Sequence, residues 1–245
     1  MIFNDIGIVR MYNVVKLVLN YIKEKKGMSK YDDVAVFWND VFEKKDDVVP
    51  TSSGSGNSEL DQGLRWLSKN VNTILDFGCG NGTVLFWCTS YGTKKHIGID
   101  LSEKAILNAK RRSLHMKNGE FEFICGEIDE LKYITSGSVE AVILSNIVDN
   151  LYPEDAEKLL IEVKRILVEN GKIFVKLNPY ITETDIKENN IKVIGNNVLD
   201  DGLILWNNTT EQWHDFFEQY FSVFKQYDMH YAEYKQYNRI FLLTK

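Results

Sequence analysis

Cysteine is scarce. Cys79, Cys88 and Cys125 are the only three in 245 residues. An odd count with no C-x-x-C pair excludes a disulfide framework and a thiolate zinc site, and fits a reducing, cytoplasmic compartment. His96, His115, His214 and His230 stand far apart with no H-x-x-x-H spacing, so no metal is expected. No apolar run approaches the roughly 20 residues that span a bilayer. The N-terminal stretch is broken by Asn4, Asp5, Asn13, Lys16 and Asn20, which excludes a signal peptide reading. Basic charge is also in deficit: 29 Lys and Arg against 35 Asp and Glu leave −6. A chain of that balance lacks the general phosphate-binding face of a nucleic-acid binder.

Apolar residues make up 44% and charged residues 26%, enough for a sizeable core in one large domain or a domain with an appendage. The first helix is expected on the stripe Ile8, Met11, Val15, Val18 and Ile22. A second should begin near Asp32 and Asp33 and carry Val34, Phe37, Trp38, Val41 and Phe42 on one side. Pro50 and Thr51-Ser52-Ser53-Gly54-Ser55-Gly56-Asn57 read as a flexible linker, after which Ser58 can cap a third helix bearing Leu60, Leu64 and Leu67. Residues 1–57 therefore read as a helical cap with its linker, and 58–245 as the main domain.

From residue 73 strands and helices alternate. Strands are expected at 73–77, 95–100, 120–125, 139–145 and 171–177, with helical stretches near 82–91, 103–117, 128–134 and 153–168. That repetition predicts a parallel sheet with helices on both faces. Residues 191–206 depart from it, reading as two short strands around Asp200-Asp201-Gly202 within a 181–207 insertion. Thr209-x-x-Gln212 is a capping-box pattern opening a helix with Trp213, Phe216, Phe217 and Tyr220. Strands near 223–231 and 237–244 close the chain as an antiparallel hairpin.

The segment Ile74-Leu75-Asp76-Phe77-Gly78-Cys79-Gly80-Asn81-Gly82 carries the chemistry. An apolar strand ends in an acid, three glycines alternate, and a helix begins, which lets a ligand approach the main chain. About 20 residues on, a second strand ends in Asp100, where an acid can accept both hydroxyls of a ribose. The spacing is G-x-G-x-G, and Thr83 stands where the third glycine of the dinucleotide pattern belongs. An acid at Asp76 suits an ammonium group better than a pyrophosphate. The loop thus points away from NAD and towards an amino-acid-bearing nucleoside.

Asp76-Phe77-Gly78-Cys79-Gly80-Asn81-Gly82 resembles the first motif of the class I S-adenosylmethionine-dependent methyltransferases, and the resemblance runs over about residues 70–180. It implies a Rossmann-like, seven-stranded, mostly parallel sheet and S-adenosylmethionine as cofactor, with S-adenosylhomocysteine as product. Gly78, Gly80 and Gly82, with Cys79 among them, would lie along the methionine part and the sugar. Asp76 would hold the ammonium group, directly or through water. Asp100 would take the ribose hydroxyls, with Leu101 beside the adenine. Glu127 and Ile128 would read the adenine edge, although members of the family more often carry aspartate at the first of these positions. Ser145 and Asn146 would face the methionine end and the transferable methyl. Tyr31, Trp38, Asp149 and Tyr180 are candidates for acceptor contact, and the segment Tyr31–Phe42 for a cover that closes over the cofactor.

Ser145-Asn146-Ile147-Val148 does not match the N-P-P-Y-like tetrapeptide of amino-methylating nucleic-acid enzymes, and Asn178-Pro179-Tyr180 follows the wrong strand. No Pro-Cys nucleophile is present. A small-molecule acceptor is favoured over a protein or RNA one, and a protein that binds the cofactor without methyl transfer is the remaining alternative. No residue stands out as a general base; His214 and His230 suit the role by type only, and read as surface or packing residues.

Overall fold

A computed structural model describes residues 30–43, 49–50, 54–200, 202–231 and 236–245. The helix expected over Ile8–Ile22 lies outside them. Seven strands form one sheet in the order β3-β2-β1-β4-β5-β10-β9. β1 (Thr73–Phe77) is central, parallel to β2 (Lys95–Asp100) on one side and β4 (Val139–Ser145) on the other. β3 (Glu120–Cys125) and β5 (Leu167–Leu177) continue the parallel pairing outward. β10 (Gln236–Thr244) runs antiparallel to both β5 and the edge strand β9 (Ser222–Tyr231), so the expected hairpin closes the sheet. The chain order reverses between β1 and β4, which opens a crevice at their C-terminal ends.

The helices follow from their apolar stripes. In α5 (Pro153–Ile166), proline sits in the first turn and Ala156, Leu159, Leu160, Val163 and Ile166 are fully buried. The helix ends at Ile166 rather than near 168. Leu167 turns to an extended conformation and pairs with Val139, so β5 begins four residues before Gly171. Ladder pairing resumes at Lys172 opposite Ala141, and the intervening stretch holds Asn170 at a φ of 61°. α2 (Ser58–Ser68) is capped by Asn57, whose Oδ1 accepts from the Leu60 amide at 3.0 Å; the expected cap, Ser58, lies inside the helix. Asn57 Nδ2 also donates to the His230 carbonyl at 2.9 Å, and Ser55 Oγ donates to Asp61 at 2.8 Å. The described end of the linker is therefore tied down to α2 and β9.

α3 (Thr83–Ser90) follows the glycine loop and α4 (Glu103–Ser113) follows β2. Residues 128–133 form a 3-10 helix. The stretch 181–207, expected as an insertion, holds a short helix, α6 (Glu183–Glu188), and a three-stranded sheet of β6 (Lys192–Gly195), β7 (Val198–Asp200) and β8 (Ile204–Trp206), one strand more than expected. Thr209 and Gln212 complete the capping box of α7 (Thr210–Glu218).

His96 is a buried structural histidine at the outer part of β2. Its Nε2 lies 2.7 Å from Thr93 Oγ1, its Nδ1 lies 3.1 Å from the Glu120 carbonyl, and its ring stacks on Phe121. Burial lowers its pKa below 6.5, opposed by the Glu120 carbonyl. The unfolded chain then binds the proton more readily, so stability falls as pH drops below about 6.5 towards the lowered folded value. NMR titration should place the His96 midpoint below 6.5; a midpoint at or above it contradicts this placement.

Candidate active site

A cavity of about 180 Å³ opens at the β1–β4 crevice. Its floor is Phe77, Gly78 and Gly80 of the glycine loop, with Ile99, Asp100 and Leu101 at the end of β2. The loop turns back on itself because the Gly78 and Cys79 amides both donate to the Ile99 carbonyl, at 2.8 and 3.0 Å. Gly78 and Gly80 adopt φ values of 78° and 53°. A Cβ at Gly78 would lie 3.2 Å from Ile147, and one at Gly80 would lie 3.0 Å from the Phe42 ring. Both positions therefore need glycine for conformation and for space.

Asp100 links the two strand ends. Its Oδ2 accepts from the Gly80 amide and its Oδ1 from the Ser102 amide, each at 2.8 Å. Ser102 caps α4 through Ala105, so the carboxylate is not spent on that cap. Burial raises the Asp100 pKa, and the two amide bonds oppose the rise. Each carboxylate oxygen retains capacity for a second hydrogen bond, and Asp100 lines the cavity. Beyond it, Gly126, Glu127 and Ile128 form the wall after β3, and Ser145, Asn146 and Ile147 the wall after β4.

The roof comes from two places. α1 (Asp32–Glu43) lays Val34, Trp38 and Phe42, with Tyr31 just before it, along the cavity at helical spacing. Near one end, Tyr31 Oη donates to Asp155 at 2.6 Å and accepts from the Tyr152 amide, while Lys30 pairs with Asp155 and Glu154. Towards the other end, Asn39 Oδ1 accepts from Ser102 Oγ and Asn108 donates to the Phe42 carbonyl, both at 2.8 Å. The helix thus bridges from the start of α5 to the start of α4. Leu203 and Ile204 of the insertion complete the roof.

A chain of asparagines ties that insertion to the sheet. Asn146 donates to Asn178 at 2.7 Å, Asn178 to Asn150 at 3.0 Å, and Asn150 to the Ile204 carbonyl at 2.8 Å. Because the last acceptor is a main-chain oxygen, the direction of every amide in the chain is fixed. Arg239 donates to the carbonyls of Asn178 and Asn208, holding the same junction from β10.

Of the residues expected at the site, Gly78, Gly80, Asp100, Leu101, Glu127, Ile128, Ser145, Asn146, Tyr31 and Trp38 line this cavity. Asp76, Cys79, Gly82, Asp149 and Tyr180 stand off its wall. Asp76 is buried behind the floor, its Oδ1 has no hydrogen-bond partner among the described residues, and burial followed by the Asp100 charge raises its pKa to about 8. Cys79 points into the core, and burial holds its thiol protonated. Gly82 starts α3 against Phe86 and Phe123. Asp149 is fully buried, accepts from the Asn178 amide at 2.6 Å, and burial lifts its pKa to about 6. Tyr180 is exposed. His214 sits beside Glu218 on α7 and His230 stacks on Tyr237, both off the wall. Sequence reasoning missed Ile147, Asn150 and Leu151, whose signal was only their place after β4, and Leu203 and Ile204, which carry no local pattern.

The residues present fit a nucleoside with an ammonium-bearing tail: two left-handed glycines leave room beside the main chain, Asp100 offers a carboxylate, and Asp76 keeps an orphaned oxygen beneath. Residues 75–175 match the protein family described as Methyltransferase domain. By this match and by its fold neighbours, the chain is similar to class I S-adenosylmethionine-dependent methyltransferases. The cofactor of this family is S-adenosylmethionine. The chain is 26% identical over 113 residues to ribosomal protein L11 methyltransferase of Vibrio vulnificus, a match covering 45% of this chain and 36% of that protein. The chain thus spans about a third of the length of the curated relatives of that kind. In fold, it resembles the Burkholderia thailandensis 1,6-didemethyltoxoflavin-N1-methyltransferase, with a TM-score of 0.62 at 10% identity over 89% of this chain and 91% of that one. Magnesium protoporphyrin IX methyltransferase from Synechocystis, solved with S-adenosylhomocysteine, gives 0.58 at 13% identity over 96% and 99%. Among the described residues, no helix is long and apolar enough to cross a membrane, and no three His, Cys, Asp or Glu side chains form a candidate metal cluster.

Proposed function

We propose that the protein transfers the methyl group of S-adenosylmethionine to a small-molecule acceptor enclosed beneath α1 and the insertion. One observation carries this reading: a single cavity runs from Asp100 and the glycine loop to Leu203 and Ile204, roofed by side chains from both covering elements. A macromolecular acceptor would instead call for an open approach to the β4 end. In the proposed arrangement Asp100 takes the ribose hydroxyls, Leu101 and Ile128 flank the adenine, and Glu127 reads its edge. Gly78 and Gly80 let the tail lie against the main chain. Asp76 acts on the ammonium group through water, since it lies behind the wall.

When bound, the sulfonium supplies an already activated methyl, so the protein's share is alignment and exclusion of water. Asn146 is held by Asn178, and through it by Asn150 and Ile204, which keeps the β4 end in register with the roof. Tyr31 and Asn39 fix α1 over the cavity and shut out solvent.

The test is accumulation of S-adenosylhomocysteine when the protein and cofactor are incubated with a cell extract divided by ultrafiltration. Product is expected with the small-molecule filtrate. Product with the macromolecular fraction alone would reject the acceptor class. Cofactor binding without product from either fraction would mark a protein that binds but does not methylate.

A further inference from the structure

We infer that Lys176 of β5 supplies the counter-charge for the carboxylate of the cofactor's methionyl tail, so that Asp76 and Lys176 together read that tail as an amino acid. The inference rests on the cofactor placement proposed above and is independent of the acceptor. Lys176 lies one residue beyond the segment that matches the family. Its place follows from the ladder. Asp76 pairs with Ile143, and Ser145 pairs with Lys176, so these four residues stand on one face of the sheet. Ile240 pairs with Lys176 from β10, which puts Asn238 on that face too. Ile74, Ile143, Phe174 and Ile240 are its apolar part, packed in one core cluster. Towards the C-terminal ends of the parallel strands the same face turns polar, with Asp76, Ser145, Lys176 and Asn238 on four neighbouring strands.

Three groups on this polar face lack a partner among the described residues. Asp76 and Asn238 are each 1% exposed, and each keeps an Oδ1 without a hydrogen bond. Lys176 is partly buried and makes neither a hydrogen bond nor an ion pair with a described residue; its Nζ stands 6.0 Å from the centre of the Tyr231 ring. Asp76 and Lys176 attract each other without touching. Charges withdrawn from water are costly unless compensated. Two opposite charges held apart on rigid strands fit a ligand that carries both charges in the reverse order. The methionyl tail is such a ligand, with an ammonium and a carboxylate on one carbon. The cavity runs the right way for it, from Asp100 at β2 past Gly78 after β1 to Ser145 at the end of β4. Lys176 stands just off the wall, beside Ser145, on the next strand. Neighbouring strands lie about 4.8 Å apart, a step that the flexible four-carbon stem of lysine spans. Burial lowers the Lys176 pKa to about 8, against the pull of Asp149 and Asp76. A bound carboxylate would raise it again. Arg239 points from the opposite face of β10 and is already taken by the carbonyls of Asn178 and Asn208.

Titration calorimetry on the full chain compares S-adenosylhomocysteine with S-adenosyl-3-thiopropylamine, the same thioether without the carboxylate. The wild-type chain is expected to bind S-adenosylhomocysteine at least about tenfold more tightly, the scale of one contact to a charged group. A smaller preference overturns the inference before any variant is made. Lys176→Met removes the charge and keeps a long apolar stem, and Lys176→Gln is a second neutral variant should the first not fold. In either, the two ligands are expected to bind within about twofold of one another, with the carboxylate-free ligand bound as by the wild type. An unchanged preference places the carboxylate elsewhere, and an equal loss for both ligands marks Lys176 as a structural residue; each result overturns the inference while leaving cofactor binding and methyl transfer standing. A wild-type chain that binds neither ligand overturns the cofactor placement, and this inference with it.

Discussion

Asp100→Ala is expected to weaken S-adenosylhomocysteine binding by about 1–3 kcal/mol, the range for losing hydrogen bonds to a charged group, or roughly 5- to 150-fold in dissociation constant. The carboxylate has two tasks at one place. It accepts the Gly80 and Ser102 amides and thereby holds the glycine loop against the end of β2. It also lines the cavity where the ribose hydroxyls are proposed to lie. Alanine removes both, so the loop loses its brace as the ligand loses its acceptor. Asp100→Asn keeps one oxygen acceptor and should fall between the two. Calorimetry on both variants, with folding checked by circular dichroism, measures the effect. An unchanged constant in a folded Asp100→Ala protein removes the ribose role.

Trp213→Ala carries the largest expected loss of stability, about 3–5 kcal/mol by the usual cost of emptying a buried tryptophan site. The side chain is fully buried and packs against Trp206, Phe216 and Phe217. It therefore joins α7 to β8, the last strand of the insertion, and through Phe217 to Phe241 of the main sheet. In a domain of this size the loss corresponds to roughly 6–20 °C in melting temperature. Trp213 Nε1 has no hydrogen-bond partner among the described residues, so Trp213→Phe forfeits little polar energy. It should cost less than half as much as alanine in denaturant unfolding. Equal losses for the two substitutions would contradict the packing account.

The parallel core was legible because its signals are local. Ile74-Leu75-Asp76 followed by three glycines states strand, turn and helix within nine residues, and the stripe of α5 states its buried face. The cap of α2 was misread because Asn57 and Ser58 are both competent caps, and the choice depends on the bond from Asn57 to His230, distant in sequence. The early start of β5 depends on Leu167 finding Val139, again a tertiary pairing. At the site, residues that act through the main chain or stand at a strand end were readable from position. Asp149 and Cys79 were not, because an acid or thiol just beyond a strand can face the cavity or the core, and only packing decides. The far wall was the least legible part. Leu203 and Ile204 are ordinary apolar residues near a turn until the Asn146–Asn178–Asn150 chain brings their strand to the cavity.

The account rests on a cavity built for a nucleoside with an ammonium-bearing tail rather than for a dinucleotide. Two left-handed glycines with Thr83 in the third position, Asp76 beneath them and Asp100 opposite are the features that distinguish the two. Titration calorimetry of the full chain with S-adenosylhomocysteine and, separately, with NAD compares these ligands directly. One site for S-adenosylhomocysteine and no measurable heat from NAD is the predicted result. Tighter binding of NAD would contradict it.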